Sequence, residues 1–375
     1  MTNRERLLTV LRGDIPDCVP VCPDISNMIP CRLTGKPYWD VYLKNNPPLW
    51  KAHINALKYF NLDGGFEMYR YPDPLGDAPK YETRILKRED GKIITRDYYT
   101  EKQEWAKYLW VYYENEAPAA YVKPATVGLP EVPQQWEQID NPVEWPDGME
   151  LWRIIRKEMG EQGLMGMPSG MHTCLLNTAD DVYEYYDNPG KYHKMAEDML
   201  ALSLSRIERI SKFPVEDRPD FIACGASGSL VLQTPTIFRE LILPMLKEVT
   251  KAAKNIGLPT QVHSCGPETA LVKMAAEETD LTVIDPLEIA PMGDCTLADL
   301  KKEFGDKIVL KGNLHTTDVM LYGSVQEVKD AAKKAIDDAA EGGRFILSTG
   351  DQCGRDTPFE NIEAMVEVAR TYGKY

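Results

Sequence analysis

Thr260-Gln261-Val262-His263-Ser264-Cys265-Gly266 is the stretch on which the reading of this chain turns. Thr260 to His263 reads as a short strand. Residues two apart on an extended backbone face the same side, so His263 and Cys265 present an imidazole and a thiol together just before a Gly-Pro turn. That pair is half of a zinc site. Cys353, in Thr349-Gly350-Asp351-Gln352-Cys353-Gly354, offers the other half, close behind the apolar run Arg344-Phe345-Ile346-Leu347-Ser348. If both runs are strands of one barrel, their ends share a mouth and the three side chains meet over one ion.

Working outward, regular strand–helix alternation surrounds this stretch. Leu164-Met165-Gly166-Met167-Pro168, Phe221-Ile222-Ala223-Cys224, Leu281-Thr282-Val283-Ile284-Asp285 and Lys307-Ile308-Val309-Leu310-Lys311-Gly312-Asn313 read as strands. Helical patterns separate them: Leu151 to Glu161, Pro189 to Phe213, Pro235 towards Ile256 with a kink at Pro244, and Val325 to Glu341. Thr2-Asn3-Arg4-Glu5 and Thr357-Pro358-Phe359-Glu360 fit capping boxes that open the first and last helices. Cys18-Val19-Pro20-Val21-Cys22-Pro23-Asp24 is an irregular first strand. Leu62-Asp63-Gly64-Gly65-Phe66-Glu67 is a second strand or its loop, after a helix from Trp50 to Phe60. Counting strands gives roughly eight, the α/β pattern of a (β/α)8 TIM barrel. Chemistry then belongs beyond the carboxyl ends of the strands.

The stretch from about 68 to 149 breaks the alternation. It holds a hairpin, Tyr81 to Leu86 and Lys92 to Tyr98, turning at Asp90-Gly91. It is rich in aromatics: Tyr98, Tyr99, Trp105, Tyr108, Trp110, Tyr112, Tyr113 and Tyr121. The expectation is a single domain over 1–375 with an aromatic-rich, partly β insertion after the second strand. The insertion is read either as a lid with aromatic walls or as a piece glued to the barrel by its own rings.

Net charge is −15, from 43 basic and 58 acidic side chains, which argues against a nucleic-acid partner. No apolar run approaches the ~20 residues needed to span a bilayer. Met1-Thr2-Asn3-Arg4-Glu5-Arg6 leads straight into a helix without a signal-peptide pattern. A cytoplasmic location is expected, where thiols stay reduced, so the 8 cysteines are core residues, ligands or nucleophiles.

One imidazole and two thiolates neutralise Zn²⁺ and leave a fourth position for substrate, as a catalytic site needs. Asp285, Glu288 and Asp351 are the nearest candidates for a firm fourth ligand. The same residues also suit a core histidine beside a buried thiol. Asp24, His172, Glu288 and Asn313 are candidate substrate-binding groups at the strand exits. His172 and His315 equally suit solvated loops, and Asn313 equally suits a helix cap. Cys18 and Cys22 read as core packing, and Cys31, Cys174, Cys224 and Cys295 as plain thiols.

The chain resembles the uroporphyrinogen decarboxylase superfamily. Arg4-Glu5-Arg6-Leu7-Leu8, Arg12-Gly13 and Asp17-Cys18-Val19-Pro20 are similar to its opening. Gln261 to Gly266, Asp285-Pro286-Leu287-Glu288, Lys311-Gly312-Asn313 and Thr357 to Asn361 fall in family order. The resemblance covers nearly the whole chain, least in the aromatic insertion. Within the superfamily, the zinc-dependent corrinoid methyltransferases carry a His-x-Cys pair and a late Cys as ligands, which His263, Cys265 and Cys353 match. The resemblance therefore implies Zn²⁺, a cobalamin or other corrinoid carried by a partner corrinoid protein, and methyl transfer to or from a small molecule. The decarboxylases instead clamp a porphyrinogen with an arginine-bearing motif near the amino terminus. There this chain has Ser26-Asn27-Met28-Ile29-Pro30-Cys31-Arg32, without that arrangement. The insertion's rings suit an aryl methyl ether, so the expected activity is the methyltransferase component of an O-demethylase. A methylcobalamin:thiol methyltransferase, a decarboxylase-like enzyme and a non-catalytic zinc-binding barrel are the alternatives.

Overall fold

A computed structural model describes residues 1–65, 73–76, 79–225 and 228–375. Phe66 and Glu67 of the expected second strand, the first residues of the expected insertion, and Ala226-Ser227 after the strand at 221 lie outside the described residues. The chain divides into two compact units, one of Met1–Asp24, Leu57–Tyr69 and Met159–Tyr375, the other of Ile25–Ala56 and Arg70–Glu158. No helix among the described residues is long and apolar enough to cross a membrane.

The second unit carries an antiparallel sheet of β1 (Glu82–Glu89), β2 (Lys92–Tyr99), β3 (Glu104–Trp105), β4 (Leu109–Tyr113) and β5 (Ala119–Val122). Its order is β1-β2-β4-β5, with β3 on β2. The expected hairpin is there and turns at Asp90-Gly91, whose glycine has φ +67°. Leu43, Ile85 and Ile93 form one of its buried clusters, Ile94, Leu109 and Val111 another. Several of the aromatics are consumed internally. Tyr98 and Trp105 meet edge to face at 5.1 Å, Trp105 and Trp136 at 5.7 Å. The Arg84 guanidinium lies 3.9 Å from the Tyr98 ring centre and 4.7 Å from that of Trp136. These cation–π and ring contacts fasten the strands to one another.

The first unit holds a parallel sheet of β6 (Gly166–Pro168), β7 (Phe221–Ala223), β8 (Thr260–His263), β9 (Val283–Asp285), β10 (Val309–Leu314) and β11 (Phe345–Thr349), in sequence order across the sheet. Helices run between them, as parallel neighbours require. The long helix before β8 is interrupted just ahead of Pro244, where the kink was expected: Pro235–Ile237 and Leu243–Asn255 flank a wider turn at Phe238–Ile242, and Pro244 sits in the first turn of the second piece. The prolines of Cys18-Asp24 leave only isolated pairing there, Val21 beside Leu347 in parallel and Cys18 beside Lys374 antiparallel, and further along the chain Gly64 stands beside Gly163 in parallel. Around those bridges the Leu347 N–H donates to the Pro20 carbonyl, Cys22 N–H to Leu347, Asp63 N–H to Val21 and Leu164 N–H to Gly64.

The first helix, Asn3–Leu11, has the expected capping box between Thr2 and Glu5. Its Leu7, Val10 and Leu11 are buried with Phe221, Val283, Val309 and Ile346, residues at the amino-terminal starts of β7, β9, β10 and β11. That end of the sheet is thereby packed shut, and the carboxyl ends are left for chemistry. The last helix, Phe359–Thr371, corrects the second capping box: Pro358 is the cap and no side chain bonds it. Boxes not expected from sequence cap the helices at Ala179–Asp187 and Val325–Ala339.

A charged junction ties the amino-terminal end together. The fully buried Asp63 carboxylate takes Arg6 Nη1 at 2.6 Å, Arg370 Nη2 at 2.8 Å and the Val21 N–H at 2.8 Å. Arg6 Nε also reaches Asp17 Oδ1 at 2.7 Å. Removing one member of such a set strands the others away from water. Asp63→Ala is expected to cost about 3–5 kcal/mol, read as a lower urea midpoint. A loss below ~1 kcal/mol, the size of a solvent-exposed pair, would show that the junction is not a buried anchor.

Candidate metal centre

Three neighbouring strands deliver polar side chains at one level. In the parallel register His263 of β8 stands beside Asp285 of β9, and Leu310 of β10 beside Ile284, which puts Lys311 next to Asp285. Side chains at one level of adjacent strands share a face. His263 Nδ1 and Asp285 Oδ2 are 3.1 Å apart. Lys311 Nζ donates to the same oxygen at 2.8 Å, and Gln261 Nε2 donates to Asp285 Oδ1 at 2.6 Å. Asp285 and Lys311 are almost wholly buried. Burial opposes the Asp285 charge, but the Lys311 and His263 charges and their hydrogen bonds hold the carboxyl well below the usual carboxylate range.

The other ring nitrogen, His263 Nε2, faces Cys265 Sγ at 3.2 Å and Asp351 Oδ1 at 3.7 Å. One ligand atom each from His263, Cys265 and Asp351 lies within 4.8 Å of the other two. Burial works against the imidazolium, yet Asp285 and Cys265 hold the His263 pKa well above its ordinary value. Burial also raises the Cys265 thiol. The turn after Cys265 needs a glycine. Gly266 has φ +92°, and a Cβ there would meet Val231 Cγ2 at 2.8 Å. Its N–H donates to Glu288 Oε2 at 2.5 Å.

Cys353 lies two residues beyond Asp351, fully buried, and is not one of the trio. Its N–H donates to the Asp24 carbonyl at 2.8 Å, and the Asp24 N–H donates to Thr349 Oγ1 at 3.0 Å. Asp24 is thus stitched to the loop that carries Asp351 and Cys353. Glu288 is buried; burial and the Asp351 charge raise its pKa. Asn313 Nδ2 donates to the Leu287 carbonyl at 2.9 Å and so supports the loop that carries Glu288. His315 caps a turn of helix, Nδ1 accepting the Asp318 N–H at 2.9 Å. His172 is exposed after β6. Cys224 is a core thiol that burial pushes up to about 12. Sequence reading passed over Gln261 and Lys311, although their polar character inside apolar strands was a signal. It also passed over Glu268, wholly buried, whose Oε2 accepts the Leu287 N–H at 2.6 Å.

The donor chemistry suits a borderline-soft divalent cation. An imidazole nitrogen and a thiol sulfur converge with a carboxylate, and the second imidazole nitrogen is already committed to a carboxylate, as ligand histidines commonly are. Zn²⁺ fits this set better than Mg²⁺ or Ca²⁺, which take oxygen.

The chain belongs to the uroporphyrinogen decarboxylase (URO-D) family, whose model matches residues 112–372. It is 26% identical over 385 aligned positions to the methylcobamide:CoM methyltransferase MtaA of Methanosarcina barkeri strain Fusaro, covering 99% of this chain and 98% of that one. A second Methanosarcina barkeri MtaA is 27% identical over 231 residues, where the match spans 60% of this chain and 64% of the relative, just under two thirds. A solved structure, a methyltransferase from Methanosarcina mazei, superposes with a TM-score of 0.62 over 99% of both chains at 20% identity, a likeness of fold alone.

A cation entering this cluster must displace protons from His263 and Cys265. Zn²⁺ affinity is expected to climb with pH, by up to about tenfold per pH unit for each proton released. Competition with a chromophoric chelator across a pH series measures it. Cys265→Ala should weaken binding strongly, and a pH-independent affinity would contradict this ligand set.

Proposed function

We propose that the chain is a zinc-dependent methyltransferase that moves a methyl group between a small substrate and the cobalt of a partner corrinoid protein. The observation that carries this reading is the imidazole–thiol–carboxylate cluster at the carboxyl end of β8, in a chain of this family. His263 and Cys265 would hold Zn²⁺, with Cys353 and Asp351 as the donors from the loop after β11. Zn²⁺ bound there would act as a Lewis acid on the substrate's heteroatom. The first unit is read as a closed (β/α)8 barrel, with segments 20–22 and 62–64 as the remaining staves. The hydrogen bonds that join them to β11 and to the residues before β6 support that closure. Reduced thiols at the site suit a cytoplasmic protein.

Each protein group then has a task. The Asp285 carboxylate takes the Nδ1–H of His263 and leaves Nε2 facing the cluster. The Gly266 N–H holds the Glu288 carboxylate beside it. Glu288, Asp24, His172 and Asn313 are proposed as substrate-side groups. In that transfer the methyl carbon would leave its heteroatom, which would keep the bonding pair, and the partner's corrinoid would supply a nucleophilic Co(I) pair for the new bond.

An aryl methyl ether is the proposed donor. The aromatic-rich composition of the stretch from Tyr98 to Tyr121 is what favours it. The activity named for the MtaA relatives, methylcobamide:CoM methyl transfer, favours a second reading, in which a thiol accepts the methyl group from methylcobalt.

The two readings separate in one assay set. Wild-type protein with a Co(I) corrinoid protein and a methoxybenzoate should produce the absorbance of methylcobalt, and Cys265→Ala should produce none. Methylcobalamin offered with thiols tests the second reading. Turnover only in that arm would replace the donor proposed here, and turnover in neither arm with zinc bound would contradict methyl transfer altogether.

A further inference from the structure

Lys311 is the least expected group near the cluster. It lies inside a parallel strand, 2% exposed, with its ammonium 2.8 Å from the oxygen of Asp285 that also faces His263 Nδ1. A buried ammonium is costly unless it is matched, and a buried carboxylate equally so. Together they bring no net charge to the ion site. Two donors from the strands on either side of β9, Lys311 Nζ at Oδ2 and Gln261 Nε2 at Oδ1, fix both oxygens of the carboxylate and hence its plane. One lone pair of Oδ2 is left towards the imidazole. The ring then presents its second nitrogen to Cys265 and Asp351.

We propose that Lys311 is a positioning residue for the metal centre: by clamping Asp285 it fixes the ring orientation and tautomer of His263, with the proton on Nδ1 and the lone pair of Nε2 aimed at the ion. Lys311 is assigned this role through its bond to Asp285, not as a ligand of the ion. This rests on the metal-centre reading above. It goes beyond it in assigning affinity and coordination geometry to a residue two strands away from the histidine.

The test is a thermodynamic cycle on the full chain, read by Zn²⁺ affinity and by the spectrum of bound Co²⁺. Lys311→Met and Asp285→Asn should each weaken Zn²⁺ binding by about 10–100-fold, the usual effect of losing a group behind a ligand. Both should alter the thiolate-to-cobalt bands, and nitrogen-resolved NMR should show His263 losing its preference for the Nδ1-protonated form. The double variant should bind no more weakly than Asp285→Asn alone, because both act along one path. If Lys311→Met does not fold, Lys311→Gln, which keeps an N–H for Asp285 without the charge, is read in the same way. A Lys311 variant with wild-type affinity, spectrum and tautomer, or losses that multiply in the double variant, would overturn the assignment. Wild-type protein that binds neither ion would overturn the metal centre itself, and this assignment with it.

Discussion

A single buried carboxylate organises the carboxyl end of the parallel sheet. Asp285 of β9 receives a glutamine and a histidine from β8 and a lysine from β10, and its backbone carbonyl receives the Ser264 N–H at 2.7 Å. An anion in that setting is tolerable only when each oxygen is matched. The matching needs β8, β9 and β10 in one register, because a slip of one residue would turn every side chain to the other face. Once the register holds, the rest follows from short connections. Ser264 is pinned, Cys265 is carried past the strand end, and Gly266 turns the chain so that its N–H meets Glu288.

The opposite end of the same sheet solves a different problem. There Asp63 gathers Arg6 and Arg370, and the first helix lays Leu7, Val10 and Leu11 over the strand starts. Both ends contain a carboxylate matched by cations, but their exposure to chemistry differs. At the amino end every partner serves closure. At the carboxyl end one partner of the carboxylate is a histidine whose other nitrogen remains directed at a thiol and a second carboxylate. Such a division between a sealed end and a reactive end is the general habit of parallel sheets wound with helices.

Much of this was legible before any coordinates. Alternation of apolar runs and helical patterns gave the six parallel strands, because period and length are local properties. The spacing of His263 and Cys265 placed them on one face for the same reason. The glycine at the hairpin turn was equally readable. Other features depended on contacts distant in sequence. Nothing near Lys311 says that it will meet Asp285, since their meeting depends on the register of β9 and β10. Asp351 stands nearer the pair than its spacing suggested, and Cys353, two residues further on, is engaged through its backbone with Asp24. The box expected at Thr357 does not form, because Pro358 takes the cap position. The insertion's rings showed as composition, but their mutual packing around Arg84 did not.

Membership in the uroporphyrinogen decarboxylase family leaves chemistry open, since a fold hosts several reactions. The side chains at the strand ends support the proposed reading, a cation held by nitrogen and sulfur. X-ray absorption at the zinc edge on the loaded full chain reads this most directly. It should show sulfur at about 2.3 Å and an imidazole nitrogen at about 2.0–2.1 Å, with the sulfur signal lost or halved in Cys265→Ala. A first shell of oxygen alone, unchanged in that variant, would place the ion elsewhere and contradict the metal centre described here.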